Sequence, residues 1–264
     1  MHFSKLSGAG NDFVVLDAAD VETGGAPALA RSMCDRVSGI GADGLILVAP
    51  SGSGLSARFF NPDGTEFSTC GNGTRCVARY GQERGWVGSD PFDIVTEFGT
   101  VRVTTEGGHI RLEYPLRIRV RREVEAPERG WLVDVGLPHF VVPVDRLPGG
   151  SIVDRCAAIR GHPEFGPEGT NVNLVQILDA GTIRIRTFER GVEGETLACG
   201  SGAMACAVAL HGAGLCRPDV RVGVRGGGEL VISFPPFEPP ERGPEPPVRL
   251  SGPVSHILDG EYPA

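Results

Sequence analysis

Two passages of the chain repeat one another. The first, FFNPDGTEFSTCGNG, runs over 59–73, and the second, TFERGVEGETLACGSG, over 187–202. Each has an aromatic strand end, two polar residues, a glycine turn, a glutamate, and then Cys-Gly-x-Gly in front of a helix-like run. The two thiols, Cys70 and Cys199, stand 129 residues apart, about half the chain. A repeat at that spacing implies two similar domains with equivalent sites, which constrains the fold more than any composition figure.

The rest of the pattern fits such a plan. Short β-branched or alternating runs at 12–17, 44–48, 56–60, 92–96, 100–104, 109–113, 139–144, 173–178, 182–188, 219–224 and 229–233 read as strands. Helices are expected at 26–37, 74–84, 151–160 and 203–213, the second and fourth starting directly after the Gly-x-Gly. This mixture predicts an α/β (α+β) protein with predominantly antiparallel strands. The Pro-dense stretch FPPFEPPERGPEPPVR (234–249) reads as an exposed extended loop, and SGPVSHILDGEY as an ordered return to the first domain.

Composition excludes several classes. A net charge of −8 argues against general affinity for nucleic acid or acidic membrane surfaces. The alternating RIRVRR run at 117–122 reads as a solvated strand face. No apolar stretch approaches the ~18 residues of a membrane span, and the N-terminus lacks a signal-peptide core, so a cytoplasmic location is expected. There the seven cysteines are expected reduced, and their odd number precludes complete internal pairing. No CxxC or HxxxH pair suggests zinc, so no metal is expected. Lys5 is the only lysine and lies in no cofactor context, which argues against a pyridoxal-phosphate Schiff base.

The position of the two cysteines carries the chemistry. A helix N-terminus presents unpaired N–H groups and the positive end of the helix dipole. A thiolate is stabilised there, and the same amides bind an anion while glycines allow close approach. Gly71 with Asn72, and Gly200 with Ser201, would supply the donors. Two such turns facing one α-carbon would suit a single reaction. One thiolate removes the α-proton, the amides stabilise the carbanion as an enediolate-like species, and the opposite thiol returns a proton to the other face.

Here the chain resembles the diaminopimelate epimerases, cofactor-independent two-cysteine enzymes that interconvert LL- and meso-diaminopimelate. The matching stretches are FSKLSGAGNDFVVLD, GIGADGLI, FFNPDGTEFSTCGNGTRC, PHFVV, GTNVN and ERGVEGETLACGSGA, which together span essentially the whole chain. The resemblance implies two pseudo-symmetric domains, each a mixed, barrel-like curled sheet around a central helix, with the active site in the cleft. The expected domains are 1–116 plus 253–264, carrying Cys70, and 117–252, carrying Cys199. The resemblance further implies no cofactor, a small amino-acid substrate and a homodimer. By position it makes Cys70 and Cys199 the catalytic pair, with Gly71, Asn72, Gly200 and Ser201 on the reacting carboxylate. Asn11, Asn61, Asn171, Glu189 and Arg190 would line the rest of the pocket, and His139 and Glu189 would tune the thiols. A distal carboxylate and ammonium suit an arginine, a glutamate and amides. Cys34, Cys76, Cys156, Cys206 and Cys216 read as small core residues.

Three departures stand out. Leu137 sits in GLPH where family members commonly read GNPH, Gly44 stands where some have Gln, and GVEGE holds one extra residue. These leave open a related two-cysteine racemase acting on histidine or hydroxyproline. A non-catalytic amino-acid-binding protein of the same fold would not need both thiols. A dehydratase of the superfamily would typically replace one of them.

Overall fold

A computed structural model describes residues 1–68, 70–89, 91–106, 109–114, 119–125, 127–233 and 248–263. The chain forms two compact units, Met1–Tyr114 with Ser251–Ala264, and Pro115–Leu250. The first contains β1 (His2–Gly8), β2 (Asn11–Asp17), α1 (Ala26–Cys34), β3 (Gly44–Ser51), β4 (Gly54–Phe60), β5 (Glu66–Phe67), α2 (Gly71–Glu83), β6 (Phe92–Thr96), β7 (Gly99–Glu106) and β8 (His109–Tyr114). The second contains β9 (Arg119–Val124), β10 (Gly130–Asp134), β11 (Pro138–Pro143), α3 (Val153–Arg160), β12 (Asn171–Asp179), β13 (Thr182–Glu189), β14 (Gly194–Thr196), α4 (Gly200–Gly212), β15 (Asp219–Gly223) and β16 (Glu229–Ser233). Strand β17 (Val248–Gly252) crosses the unit boundary, and β18 (Val254–Glu261) pairs antiparallel with β1 in the first unit.

The repeat in sequence is a repeat in connectivity. In the first unit β2 runs parallel to β3, β3 antiparallel to β4, β4 antiparallel to β5, and β4 parallel to β6, which turns back into β7. In the second, β11 and β12, β12 and β13, β13 and β14, β13 and β15, and β15 and β16 follow the same order of parallel and antiparallel pairs. The parallel pairs qualify the expectation of predominantly antiparallel strands. Each needs a crossover, and α1, α2, α3 and α4 are those crossovers.

The hairpin ahead of each cysteine is clamped in the same way. Phe60 lies opposite Glu66 and Phe188 opposite Glu195. Arg58 grips Glu66 at 2.8 and 2.7 Å, and Arg186 grips Glu195 at 2.6 and 2.6 Å, both as two-pronged guanidinium–carboxylate pairs. The repeated glutamate is therefore a clamp rather than a site residue. The extra residue of the second copy is absorbed where Glu193 adopts a left-handed backbone (φ 53°).

Helices α2 and α4 are the centres of their units. From Gly202 to Leu210 every residue of α4 is buried, which leaves no polar face, and such a helix must be surrounded. It packs on β10, β11, β12 and β16, while α2 packs on β1, β2, β3, β4 and β8. Separate apolar clusters form under α1 (Val14, Leu16, Met33, Leu45, Phe60) and under α3 (Phe140, Ile152, Ile159, Leu174, Phe188). No helix among the described residues is long and apolar enough to cross a membrane.

Several segments differ from expectation. Helices α2 and α4 begin at Gly71 and Gly200, three residues early, because the glycines form the first helical turn rather than a turn before it. Strands β1, β5, β10, β14, β17 and β18 were not read as strands from the sequence pattern, since they are short or interrupted by polar residues. The side chains of the 117–122 run and the Pro-dense stretch up to residue 247 lie outside the described residues, as does the expected division at 116.

Candidate active site

In both units the cysteine is the N-cap of the central helix. Cys70 and Cys199 have extended backbones (φ −149° and −122°), and each sulfur accepts the amide N–H two positions into the Gly-x-Gly, from Gly73 at 3.4 Å and Gly202 at 3.3 Å. The thiol occupies the place of the usual serine or aspartate cap oxygen. That close approach explains the second glycine of each motif. A Cβ on Gly73 would lie 3.0 Å from the Phe59 ring, and one on Gly202 would lie 2.3 Å from Asn173 Oδ1.

Around Cys70 the residues form one connected group. Asn11 Oδ1 lies 3.7 Å from Cys70 Sγ and 3.5 Å from Asn72 Nδ2, and Asn11 Nδ2 donates to Asp43 at 2.6 Å. Asp43 is in turn bridged to Asp12 by Arg36, and Asp12 also binds Lys5 at 3.0 Å. Beneath the helix start sits Arg75, fully buried, donating to Gly71 O at 3.1 Å and Asn72 Oδ1 at 2.7 Å. Among the described residues its Nε has no hydrogen-bond partner and no carboxylate is paired with the guanidinium. Burial lowers its pKa, yet an arginine stays protonated, so a positive charge lies within electrostatic reach of Cys70.

Around Cys199 the charges are of the other kind. Cys199 is 7% exposed, and burial followed by the nearby Glu189 pushes its thiol well above the usual range. Burial also raises the pKa of Glu189, which lies beside Cys199 and accepts from Thr196 Oγ1 at 2.5 Å. Ser201 Oγ lies 3.4 Å from Cys199 Sγ and 3.0 Å from His139 Nε2. His139 is fully buried, and that burial pushes its pKa down to about 3, so the ring is neutral. Its Nδ1 faces Asn173 Nδ2 at 3.0 Å.

The remaining expected residues are placed as follows. Asn171 donates to Pro138 O at 3.0 Å and accepts from the Arg190 backbone N–H at 2.9 Å, so its amide ties β11 to the end of β13. The Arg190 side chain is a quarter exposed and reaches Glu168 at 3.5 Å. Asn61 donates to Thr65 Oγ1 at 3.0 Å within its turn. Leu137 is 45% exposed. Arg75, Asp43, Asn173, Thr187 and Thr196 were not picked out beforehand. The NVN spacing could have flagged Asn173, since residues i and i+2 of a strand share a face.

The other five thiols are buried, and none of them is the N-cap of a helix. Burial pushes Cys34 and Cys76 up to about 12, Cys156 and Cys216 up to about 11, and Cys206 higher still. No disulfide forms among the described residues.

Solved structures share the fold at low identity. A PhzF-family phenazine biosynthesis protein from Bacillus anthracis superposes with a TM-score of 0.73 at 13% identity, covering 100% of this chain and 99% of that one. A hydroxyproline epimerase from Agrobacterium vitis gives 0.70 at 16%, covering 98% and 90%. Sequence relatives are nearer. Diaminopimelate epimerase of Aquifex aeolicus is 40% identical over 261 residues, 89% of this chain and 90% of that protein. The enzyme of that name from Moorella thermoacetica is 37% identical over 288 aligned positions, 100% and 99%. The diaminopimelate epimerase family model matches residues 3–113 and 131–236, which take in both cysteine-capped helices. The chain belongs to the diaminopimelate epimerase family.

Proposed function

We propose that this protein interconverts LL- and meso-diaminopimelate without a cofactor, using Cys70 and Cys199 as the two proton carriers. The observation that carries the reading is the pair of thiol N-caps at equivalent positions of the repeat, each held by the N–H of the second glycine. In one direction a thiolate takes the α-proton: the C–H bond breaks, an S–H bond forms, and the electron pair moves into the carboxylate. Helix N-terminal amides at Gly71, Asn72, Gly200 and Ser201 stabilise that charge. The opposite thiol then gives its proton to the other face, and the protonation states of the two sulfurs are exchanged. The raised pKa of Cys199 supports its holding a proton at the start, ready to act as the acid.

The distal end of the substrate is assigned to Arg190, Glu189, Asn11, Asn61 and Asn171. For Asn171 the role is indirect, because both ends of its amide already bind the protein. The reading includes a homodimer and a cytoplasmic location. Light scattering behind a sizing column tests the first, and fractionation of the source cells tests the second.

The deciding experiment incubates the purified enzyme with amino acids in deuterated water and follows α-proton exchange. Diaminopimelate is expected to exchange fastest, and Cys70→Ala and Cys199→Ala each to abolish inversion in both directions. Rapid exchange of histidine or hydroxyproline with diaminopimelate inert would transfer the reading to a related racemase, for which the exposed Leu137 would be the clue. Full activity in either alanine variant would refute the two-thiol mechanism.

A further inference from the structure

Behind Cys199 runs an unbroken line of hydrogen-bonding side chains that the proton-transfer chemistry does not by itself require. Thr187 Oγ1 lies 2.9 Å from Asn173 Oδ1, Asn173 Nδ2 lies 3.0 Å from His139 Nδ1, His139 Nε2 lies 3.0 Å from Ser201 Oγ, and Ser201 Oγ lies 3.4 Å from Cys199 Sγ. Asn173 and His139 are fully buried and Thr187 is 3% exposed, so water does not compete for these contacts. Thr187 sits directly opposite Asn173 in the β12–β13 ladder, and His139 directly beside Asn171 in the β11–β12 ladder. The backbone therefore holds the amide and the ring in place.

A primary amide nitrogen can only donate, so the ring nitrogen it faces must be the bare one. A neutral histidine then carries its proton on Nε2, and that N–H points at Ser201. With one lone pair accepting this N–H, the Ser201 hydroxyl keeps its own proton to give to a Cys199 thiolate, which can only accept. The amide is oriented with its oxygen on Thr187 Oγ1, whose hydroxyl donates to it, and the tautomer of His139 is the direct test of that orientation. Turning the amide over would reverse every bond in the line and draw a proton away from Cys199.

We infer that Asn173, fixed by Thr187, is a positioning residue that locks His139 in the Nε2–H tautomer, so that Ser201 donates to the Cys199 thiolate. The inference rests on the reading of Cys199 as a proton carrier. The role of His139 is that of a directed neutral donor, and its low pKa keeps it so across the working pH range.

Nitrogen-15 NMR of histidine-labelled protein tests the tautomer directly, with His139→Gln identifying the resonances. Protonated Nε2 and bare Nδ1 at neutral pH are expected, whereas protonated Nδ1 overturns the inference. In Asn173→Asp the carboxylate demands a proton on Nδ1. The tautomer should invert, and the pH profile of Cys199 alkylation, followed by peptide mass, should move upward. By analogy with losing the partner that orients a functional histidine, kcat should fall about 10- to 100-fold. KM should stay within about twofold, since substrate contacts are untouched. Should Asn173→Asp not fold, Thr187→Val carries the same test, and Thr187→Ser should restore the wild-type profile. A fall in kcat with tautomer and alkylation profile unchanged would make Asn173 merely structural. Failure of the wild-type enzyme to exchange any α-proton would instead refute the proposed function, and the NMR result would stand apart from it.

Discussion

Placing an alanine at Gly202 tests the claim that this glycine exists to let the thiol cap meet the strand beneath it. An added Cβ would stand 2.3 Å from Asn173 Oδ1, 3.2 Å from Thr187 Oγ1 and 3.3 Å from Cys199 Sγ. Contacts below 3.0 Å do not persist, so the Asn173 amide must retreat by roughly an ångström within a close-packed interior. Overpacking of that kind costs about 1–3 kcal/mol. Displacing the amide also leaves a buried polar group short of a partner, about 1–3 kcal/mol more. Better helix propensity returns up to about 1 kcal/mol. The net loss is about 3 kcal/mol, or roughly 6–12 °C in Tm for a chain of this size. Gly73→Ala is the paired comparison. The nearest atoms to its Cβ would be the Phe59 ring at 3.0 Å and Ile46 Cδ1 at 3.2 Å, apolar groups that can yield, so its loss should be smaller. Gly212→Ala, near the other end of α4 with no atom within 4 Å, should be neutral or slightly stabilising. Differential scanning calorimetry of the three variants, with α-proton exchange assayed alongside, gives the order. A Gly202→Ala protein as stable and active as the wild type would refute the reasoning.

Three further outcomes follow from the surroundings of the thiols. Arg75→Met should leave stability nearly unchanged, because removing a buried charge without a carboxylate offsets the loss of two hydrogen bonds; kcat should drop and alkylation of Cys70 should need a higher pH, and unchanged kinetics would refute the role of that charge. Glu189→Gln should let Cys199 ionise at lower pH, since the carboxylate beside it opposes the thiolate; peptide-resolved alkylation against pH reads this, and a profile that stays put or moves upward counts against it. His139, held near a pKa of about 3 by burial, should make folding weaken as pH falls below about 6.5, because the unfolded chain takes up a proton the folded one refuses. The loss is complete only near pH 3 and amounts to at most a few kcal/mol. Urea titrations at several pH values should show this slope flattened in His139→Gln, and an unchanged slope would assign it to other groups.

Most of the strands and all four helices were legible along the chain, because each β-run is short, apolar and bounded by turn residues, and because α4 has no polar face at all. The duplicated Cys-Gly-x-Gly declared the two thiol-capped helix starts for a local reason: an N-cap, its sulfur and the amide that binds it all lie within four consecutive residues. The repeated glutamate was visible too, but its use was not. Whether it faces a ligand or an arginine depends on the cross-strand neighbour, and only the paired strands put Arg58 and Arg186 there. What surrounds Cys199 also came from distant residues, whereas the cation near Cys70 stands on its own helix. A buried Arg75 cation lies behind one, while Glu189, a neutral His139, Asn173 and Thr187 lie behind the other, drawn from β11, β12 and β13. Hydrogen bonds within a turn are written in adjacent residues, so a sequence declares them. Burial and the polarity of a hydrogen-bonded line arise when segments far apart in the chain are packed together, and those belong to the tertiary structure.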